Sequence, residues 1–469
     1  MSDEKTLAAH YAETGVSRFA GNPFIEALPP LEKTRSEFLT NLANYPPIPT
    51  ATTRRGNEIV RMMELSVLND VVHPFPEYQK IGLSLATIMR ETYVARNPIT
   101  VVDKQRRHAL ATRGSKVPVP FPADWRSSAK GHSMITVSGM GKTTFAEAFL
   151  LRYPQVIQHT QYHGSPLLHQ QVVYVVLRVP HDGTLRSLCL QFFAKIDELL
   201  GTNYSREARA LRNIAPMVGL MSRVATTVSL GLIVIDEVQN LRSAKGDGAE
   251  TMLNLFAEII ESLGISLLLL ATPAVQSVID GSVRNIRKLV STGNSVIKPM
   301  GKKDPQWLDF CEVYWDYTFV KRKEKLDDQT RDAWFSASGG NTAFAVLAFM
   351  LAQRNGIGGR EIVDAAAFER VAATEMAILQ PAISALLSGN PAHLRKFDDL
   401  IVGQQYSELR ALLGVISPEP AQDDEEFEEC EATSLPRARA TAKRSPRGTS
   451  FSGLDLPMED PLKDTASAL

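Results

Sequence analysis

Met134-Ile-Thr-Val-Ser-Gly-Met-Gly-Lys-Thr-Thr144 is an apolar run that breaks into a turn holding two glycines, a lysine and two threonines. Gly139 and Gly141 can take backbone angles closed to other residues, so the chain can curl there with its N–H groups pointing inward around an anion. The residues that follow, Thr143 to Tyr153, read as a helix with Phe145, Ala148 and Phe149 on one face. That sets the positive N-terminal end of a helix against the same anion. Strand, glycine turn and helix in this order are the context in which Gly-Lys-Thr holds nucleotide phosphates. The spacing predicts a site built from Thr136, Val137, Ser138, Gly139, Met140, Gly141, Lys142, Thr143 and Thr144. Lys142 would reach the β and γ phosphates of ATP while the Thr143 hydroxyl ligates Mg²⁺. Thr136 stands where the pattern carries its first glycine, so loop geometry is expected to change with binding retained.

The rest of the chain limits what such a site can belong to. Its 469 residues with 44% hydrophobic content allow two or three domains and a large buried core. The 51 basic and 52 acidic residues nearly cancel, so any nucleic-acid contact has to come from a local patch. Cys189, Cys311 and Cys430 are far apart and lack C-x-x-C spacing. This argues against a zinc site or a disulfide framework and for reduced thiols in a cytoplasmic protein. The N-terminus is polar and apolar runs such as Ile265 to Ala271, broken by Ser266, are far too short to cross a bilayer, so neither a secretion signal nor membrane contact is expected.

Over residues 75–325 apolar runs alternate with helical patterns. Strands are expected at Met134–Val137, Val172–Val179, Gly231–Asp236, Ile265–Ala271 and around Val313–Val320. Helices are expected at Tyr78–Val94, Leu185–Leu200 and Met252–Leu263. Continuous apolar strands imply a sheet covered on both faces, an α/β fold with a three-layer αβα core and a parallel sheet. Residues 326–417 read as a small all-helical lid domain. Residues 1–74, punctuated by Pro23, Pro29, Pro30, Pro46, Pro47 and Pro49, read as an extension that wraps over a partner or over the body of the protein. From 418 to 469 an acidic block, Asp423 to Glu431, precedes a basic one, Arg437 to Arg447, in a segment too polar to order itself.

A second constellation follows the first. Leu232-Ile-Val-Ile-Asp-Glu237 is an apolar strand ending in two carboxylates. At the carboxyl edge of a parallel sheet, Asp236 would hold Mg²⁺ through its water shell and Glu237 would polarise the attacking water, since phosphoryl transfer needs positioning and charge neutralisation above all. Thr272, after the next strand and before Pro273, is placed to sense the γ phosphate or to form a turn. Arg284 and Arg287 lie in a helix-like stretch, Val283 to Val290, where a guanidinium can serve as an arginine finger across a subunit interface or as a solvated surface charge.

These motifs, with the strand order and the helical domain after them, resemble the P-loop AAA+ ATPases. Four further segments narrow the resemblance. They are Asn22-Pro-Phe-Ile-Glu-Ala-Leu-Pro-Pro-Leu31, Met89-Arg-Glu-Thr-Tyr-Val-Ala-Arg-Asn-Pro98, Tyr153-Pro-Gln-Val-Ile157 and Val234-Ile-Asp-Glu-Val-Gln-Asn-Leu241. Together they resemble the TnsC/TniB-like regulators of TnsA/TnsB-type transposons over roughly Tyr11 to Leu413. The resemblance implies an ATPase whose ATP-bound subunits assemble as a homo-oligomeric ring or spiral on double-stranded DNA. It would link a TnsD/TniQ-like target-selection protein to TnsA/TnsB-like transposase subunits and disassemble on hydrolysis. The chain departs from the family pattern at Thr136, at Ala271, where glycine usually precedes Thr-Pro, and at Gly339-Gly-Asn341, which sits where many AAA+ proteins carry a second sensor with an arginine and is not directly followed by one. Slow, regulatory hydrolysis is expected.

In a ring of such domains the loop after the second strand and the segment after Glu237 face the central channel. Here they carry His181, Thr184 and Arg186, and Arg242 and Lys245, with Gly246 and Gly248 allowing close approach to a backbone. Such residues bind phosphates without reading bases, so binding would be sequence-tolerant and salt-sensitive; as surface charges they would only be solvated. Lys302-Lys303 is a weaker candidate. The competing readings are a replication initiator or helicase loader, which would usually append a helix-turn-helix module for base readout, and a nucleotide-binding scaffold without turnover, against which Glu237 argues.

Overall fold

The computed structural model describes residues 6–112, 119–275, 278 and 287–389. The strands are β1 (Thr6–Ala8), β2 (Gly131–Thr136), β3 (Val156–Tyr162), β4 (Ser165–Val172), β5 (Tyr174–Arg178), β6 (Leu232–Asp236), β7 (Ser266–Ala271) and β8 (Asn294–Ile297). Five of them form one parallel sheet in the order β5-β6-β7-β2-β8. Its inner strands are buried along their whole length because alternate side chains serve opposite faces. Met134, Leu232, Val234, Leu268 and Leu270 enter one core, and Ile135, Ile233, Ile235, Leu267 and Leu269 the other.

The first core is covered by α5 (Glu77–Val94) and α7 (Lys142–Leu150), the second by α8 (Leu185–Leu200), α10 (Ile214–Thr227) and α11 (Gly248–Glu258). Between these lie α6 (Val101–Ala111) and α9 (Tyr204–Ala210). Met217, Leu220, Met221 and Val224 recur at three- and four-residue spacing, which makes α10 a helix with one buried face. α11 runs on into a π-helical turn, Ile259–Leu263, that ends at Gly264.

Two expected strands are corrected. The apolar run Val172–Val179 is split at Val173: Val172 ends β4, antiparallel to β3, while Tyr174 starts β5, parallel to β6. One continuous hydrophobic stretch thus passes from one sheet to another. The region Val313–Val320 is no strand. Trp307, Phe310, Cys311 and Tyr314 line the buried face of α12 (Pro305–Trp315), and their helical spacing outweighs the β propensity of Val313 and the aromatics. The fifth strand of the sheet is β8.

The region expected as a lid holds, among the described residues, α13 (Asp328–Ser338), α14 (Thr342–Gly356), α15 (Ala365–Ala373) and α16 (Gln380–Ser388). Trp334 holds it together, stacking on Phe349 at 4.8 Å and on Phe368 at 5.3 Å between ring centroids. These aromatics belong to the same core as α5 and α7.

Residues 6–74 lie on the body. Short helices α1 (Pro23–Glu26), α2 (Arg35–Leu42), α3 (Ala51–Arg55) and α4 (Glu58–Glu64) follow the prolines. β1 joins β3 and β4 in a second, three-stranded sheet. The Asn22 side chain caps α1 by accepting the Phe24 N–H and donates to the Tyr93 carbonyl at 2.7 Å. Glu26 accepts from the Tyr162 hydroxyl at 2.7 Å, and Phe24 and Ile25 are fully buried. The other end of the extension is pinned to the lid. Arg61, itself buried, donates twice to Glu361 at 2.8 Å and once to the Phe319 carbonyl at 3.0 Å. Hydrogen bonds from Arg61 hold the Glu361 carboxyl down at about 2.

This pair yields a test. Removing one partner of a buried ion pair strands the other, so Arg61→Ala is expected to cost about 3–5 kcal/mol in urea unfolding at pH 7. A carboxyl held below its ordinary 4.5 stabilises the fold above that value and loses the contribution as pH falls through 4.5 toward about 2. The gap between variant and wild type should therefore narrow below pH 4. A gap that is constant from pH 7 to pH 3 contradicts the assignment.

Candidate functional site

The glycine turn between β2 and α7 adopts the conformation its composition allows. Gly139 and Gly141 have φ of 83° and 81°. A Cβ at Gly139 would lie 2.6 Å from the Asn341 side-chain oxygen, so neither position admits another residue without strain. Gly141 caps α7, whose first internal bond runs from the Phe145 N–H to the Gly141 carbonyl at 2.8 Å. The N–H groups of the first turn are thereby left for an anion. Val137 and Met140 anchor the turn in the core, and Ser138 and Thr144 are exposed. Thr136 is buried and donates to the Ile297 carbonyl at 3.0 Å, tying the end of β2 to the end of β8.

The turn meets the two carboxylates at the end of β6. Thr143 donates through its hydroxyl to Asp236 at 3.2 Å, and the Lys142 ammonium lies 3.8 Å from Glu237. Asp236, nearly fully buried, accepts the Glu237 N–H at 2.8 Å. Glu237 takes a left-handed backbone conformation, φ 58°, unusual for a side-chain-bearing residue and a form of strain that clusters at working sites. β7 lies between β6 and β2 and brings the buried Thr272 to the same edge. Its backbone N–H donates to the Gln239 side chain at 3.1 Å.

The hydroxyl of Thr143 and the carboxylate of Asp236 are convergent oxygen donors that fit Mg²⁺, an ion that keeps most of its waters and takes few protein ligands. Among the described residues no cluster of three or more His, Cys, Asp or Glu is arranged to hold a metal by itself.

Several residues at this site carry no signal in a motif. Arg178 ends β5 in register with Asp236, and its guanidinium lies 3.9 Å from that carboxylate. Burial, and then the Asp236 charge, raise the neighbouring Glu147 carboxyl. Beside the glycine turn is a cleft of about 450 Å³ between Phe75, Tyr78, Phe145 and the start of α14. Tyr78 stacks on Phe145 at 4.4 Å and donates its hydroxyl to the Met140 carbonyl at 3.1 Å. The lid closes onto the turn itself. Asn341 donates to the Ser138 carbonyl at 2.8 Å and the Ala343 N–H donates to the Gly139 carbonyl at 2.9 Å. Register between strands could have pointed to Arg178; nothing local points to Tyr78.

The loops after β5 and β6 lie side by side. A Cβ at Gly183 would sit 2.8 Å from that of Ala244, and Asn240 donates to the Val179 carbonyl at 2.9 Å. His181, Arg242 and Lys245 are exposed. Thr184 is exposed but its hydroxyl engages Asp182 and Ser187. Arg186 faces inward, donating to the carbonyls of Leu211 at 2.9 Å and Arg212 at 3.3 Å. Lys302 pairs with Asp332 at 3.1 Å. Arg287 is exposed, and Arg284 lies outside the described residues.

With this geometry in view, residues 128–279 match the family model for an AAA domain. The fold is the P-loop AAA+ fold, with its parallel sheet flanked by helices. No curated protein sequence matches the chain. Among solved structures, the Walker-type ATPase paby2304 of Pyrococcus abyssi is similar at 14% identity and a TM-score of 0.36, covering 56% of this chain and 71% of that one. The Aeropyrum pernix ORC1 protein, solved in complex with DNA, gives 15% identity and 0.35, covering 61% and 66%. The Aeropyrum pernix ORC2 protein gives 13% identity and 0.35, covering 69% and 87%. No single helix among the described residues is long and apolar enough to cross a membrane.

The packing of Gly139 against the lid gives a direct test. Gly139→Ala puts a methyl into both a strained φ and the Asn341 contact, and is expected to weaken nucleotide binding about tenfold or more, as a strain of roughly 1–3 kcal/mol would. Titration with a fluorescent ATP analogue measures it, and wild-type affinity would contradict the loop geometry.

Proposed function

We propose that this chain is an ATP-gated, DNA-bound regulator of transposition. ATP-bound subunits assemble on double-stranded DNA, link a TnsD/TniQ-like target selector to TnsA/TnsB-like transposase subunits, and come apart on hydrolysis. The observation that carries the nucleotide half is the convergence of Lys142, Thr143, Asp236 and Glu237 on one sheet edge beside a base-sized cleft. Lys142 exchanges Glu237 for the β and γ phosphates, and the cleft beside Tyr78 takes the base and ribose. Thr143 and Asp236 would hold Mg²⁺, which would neutralise charge on the phosphate oxygens. Glu237 orients a water whose oxygen bonds to the γ phosphorus as the bond to the β–γ bridging oxygen breaks. The electron pair leaves with ADP and the proton of the water passes to the Glu237 carboxylate. Thr272 reads the γ phosphate from the end of β7, and Arg287 or Arg284 supplies a finger to a neighbouring subunit.

The DNA half is supported by the two adjoining loops at the carboxyl ends of β5 and β6, with Lys245, Arg242 and His181 exposed on them. Arg186, engaged with backbone carbonyls, is the least suited of the five candidates. The role in transposition rests on the resemblance of Asn22 to Leu31 and the three further segments to the TnsC/TniB-like family. The extension carrying that motif faces the target selector in this reading.

Binding of labelled duplex DNA tests the proposal. Affinity should be about tenfold or more higher with ATP than with ADP, a coupling of ordinary allosteric size, and should fall steeply with salt for any sequence. Lys142→Ala should abolish the ATP effect and the assembly. Nucleotide-independent, sequence-specific binding would instead favour an initiator. Separately, Glu237→Gln should keep ATP binding while phosphate release falls about 100-fold or more, the usual contribution of a general base; unchanged turnover would remove Glu237 from its role. Transposase genes beside this one are expected, and replication genes in their place would count against the assignment.

A further inference from the structure

We infer that Gln239 is the positioning residue for Glu237, an inference that rests on Glu237 orienting the attacking water. The Gln239 side-chain amide is held at both ends. Its nitrogen donates to one Glu237 carboxylate oxygen, and its oxygen accepts the Thr272 N–H at 3.1 Å. The chemistry of the partners fixes the orientation: a carboxylate only accepts and a backbone N–H only donates, so the flipped amide would lose both bonds.

The other Glu237 oxygen faces Lys142 at 3.8 Å, and the Glu237 side chain is 30% exposed. When Lys142 turns to the phosphates, Gln239 is the side chain among the described residues that still holds the carboxylate. Its second bond reaches the end of β7, whose Ala271 pairs with Ile135 of β2, the strand that leads into the phosphate turn. Gln239 therefore refers the carboxylate to the same rigid strands that carry the phosphate site. Glu237 starts a 3₁₀ turn, Val238–Ser243, from a left-handed conformation, and that turn places Gln239 two residues on, beside both partners. Groups that orient a nucleophile have to be held to within fractions of an ångström, and supporting hydrogen bonds supply that precision.

Two variants separate positioning from structure. Gln239→Ala removes both bonds. Gln239→Glu keeps an acceptor for the Thr272 N–H and loses the donor to Glu237. Both are expected to lower kcat for ATP hydrolysis about 10- to 100-fold, with the ATP dissociation constant within about threefold of wild type. Residues that act through one another are non-additive, so in a Glu237→Gln background either change should alter the residual rate by less than about twofold. Unchanged or raised kcat in both variants overturns the inference, as does the same fractional loss in the Glu237→Gln background. If Glu237→Gln alone keeps wild-type turnover, the role of Glu237 itself fails and this inference falls with it.

Discussion

At the carboxyl edge of the sheet the Lys142 ammonium and the Thr143 hydroxyl face the Glu237 and Asp236 carboxylates across the width of one strand, β7. Like charges crowded at a partly buried edge need counter-charge, and α7 supplies it from the first residues after the glycine turn. The arrangement needs a parallel sheet, because only then do both loops leave from the same end. It needs the second of the two glycines at a left-handed angle, so that the helix can begin at Lys142. It also leaves Lys142 with a partner that a phosphate can replace.

Two further attachments make that edge part of a larger body. The lid touches the phosphate turn directly through Asn341 and Ala343. The same lid is fastened to the N-terminal extension by the Arg61–Glu361 pair and shares an aromatic core with α5 and α7. The extension in turn packs through Asn22, Phe24 and Glu26 against α5 and the β3–β4 hairpin. A change in the glycine turn thus meets the lid across two hydrogen bonds.

What was legible in the chain was what is local. The bounds of α8 follow from its own periodicity, and the phosphate turn and the Asp236-Glu237 strand announce themselves within a dozen residues. Val313–Val320 misled because aromatic and β-branched residues satisfy strand propensity, whereas the deciding pattern begins earlier, at Trp307. The β3–β4 hairpin escaped notice because half of it is polar and its outer partner is β1, near the chain start. Arg61 and Glu361 are 300 residues apart, and no local pattern joins them. Gln239 is two residues from Glu237 in sequence, yet its bond to the Thr272 N–H exists only because β6 and β7 are side by side.

The most direct test is a structure of the chain with Mg²⁺ and a non-hydrolysable ATP analogue. The Lys142 ammonium should leave Glu237 for the β and γ phosphates, with the Thr143 hydroxyl and Asp236 grouped around the metal and the base in the cleft beside Tyr78. Nucleotide bound elsewhere, with Lys142 still against Glu237, would contradict the account at its foundation.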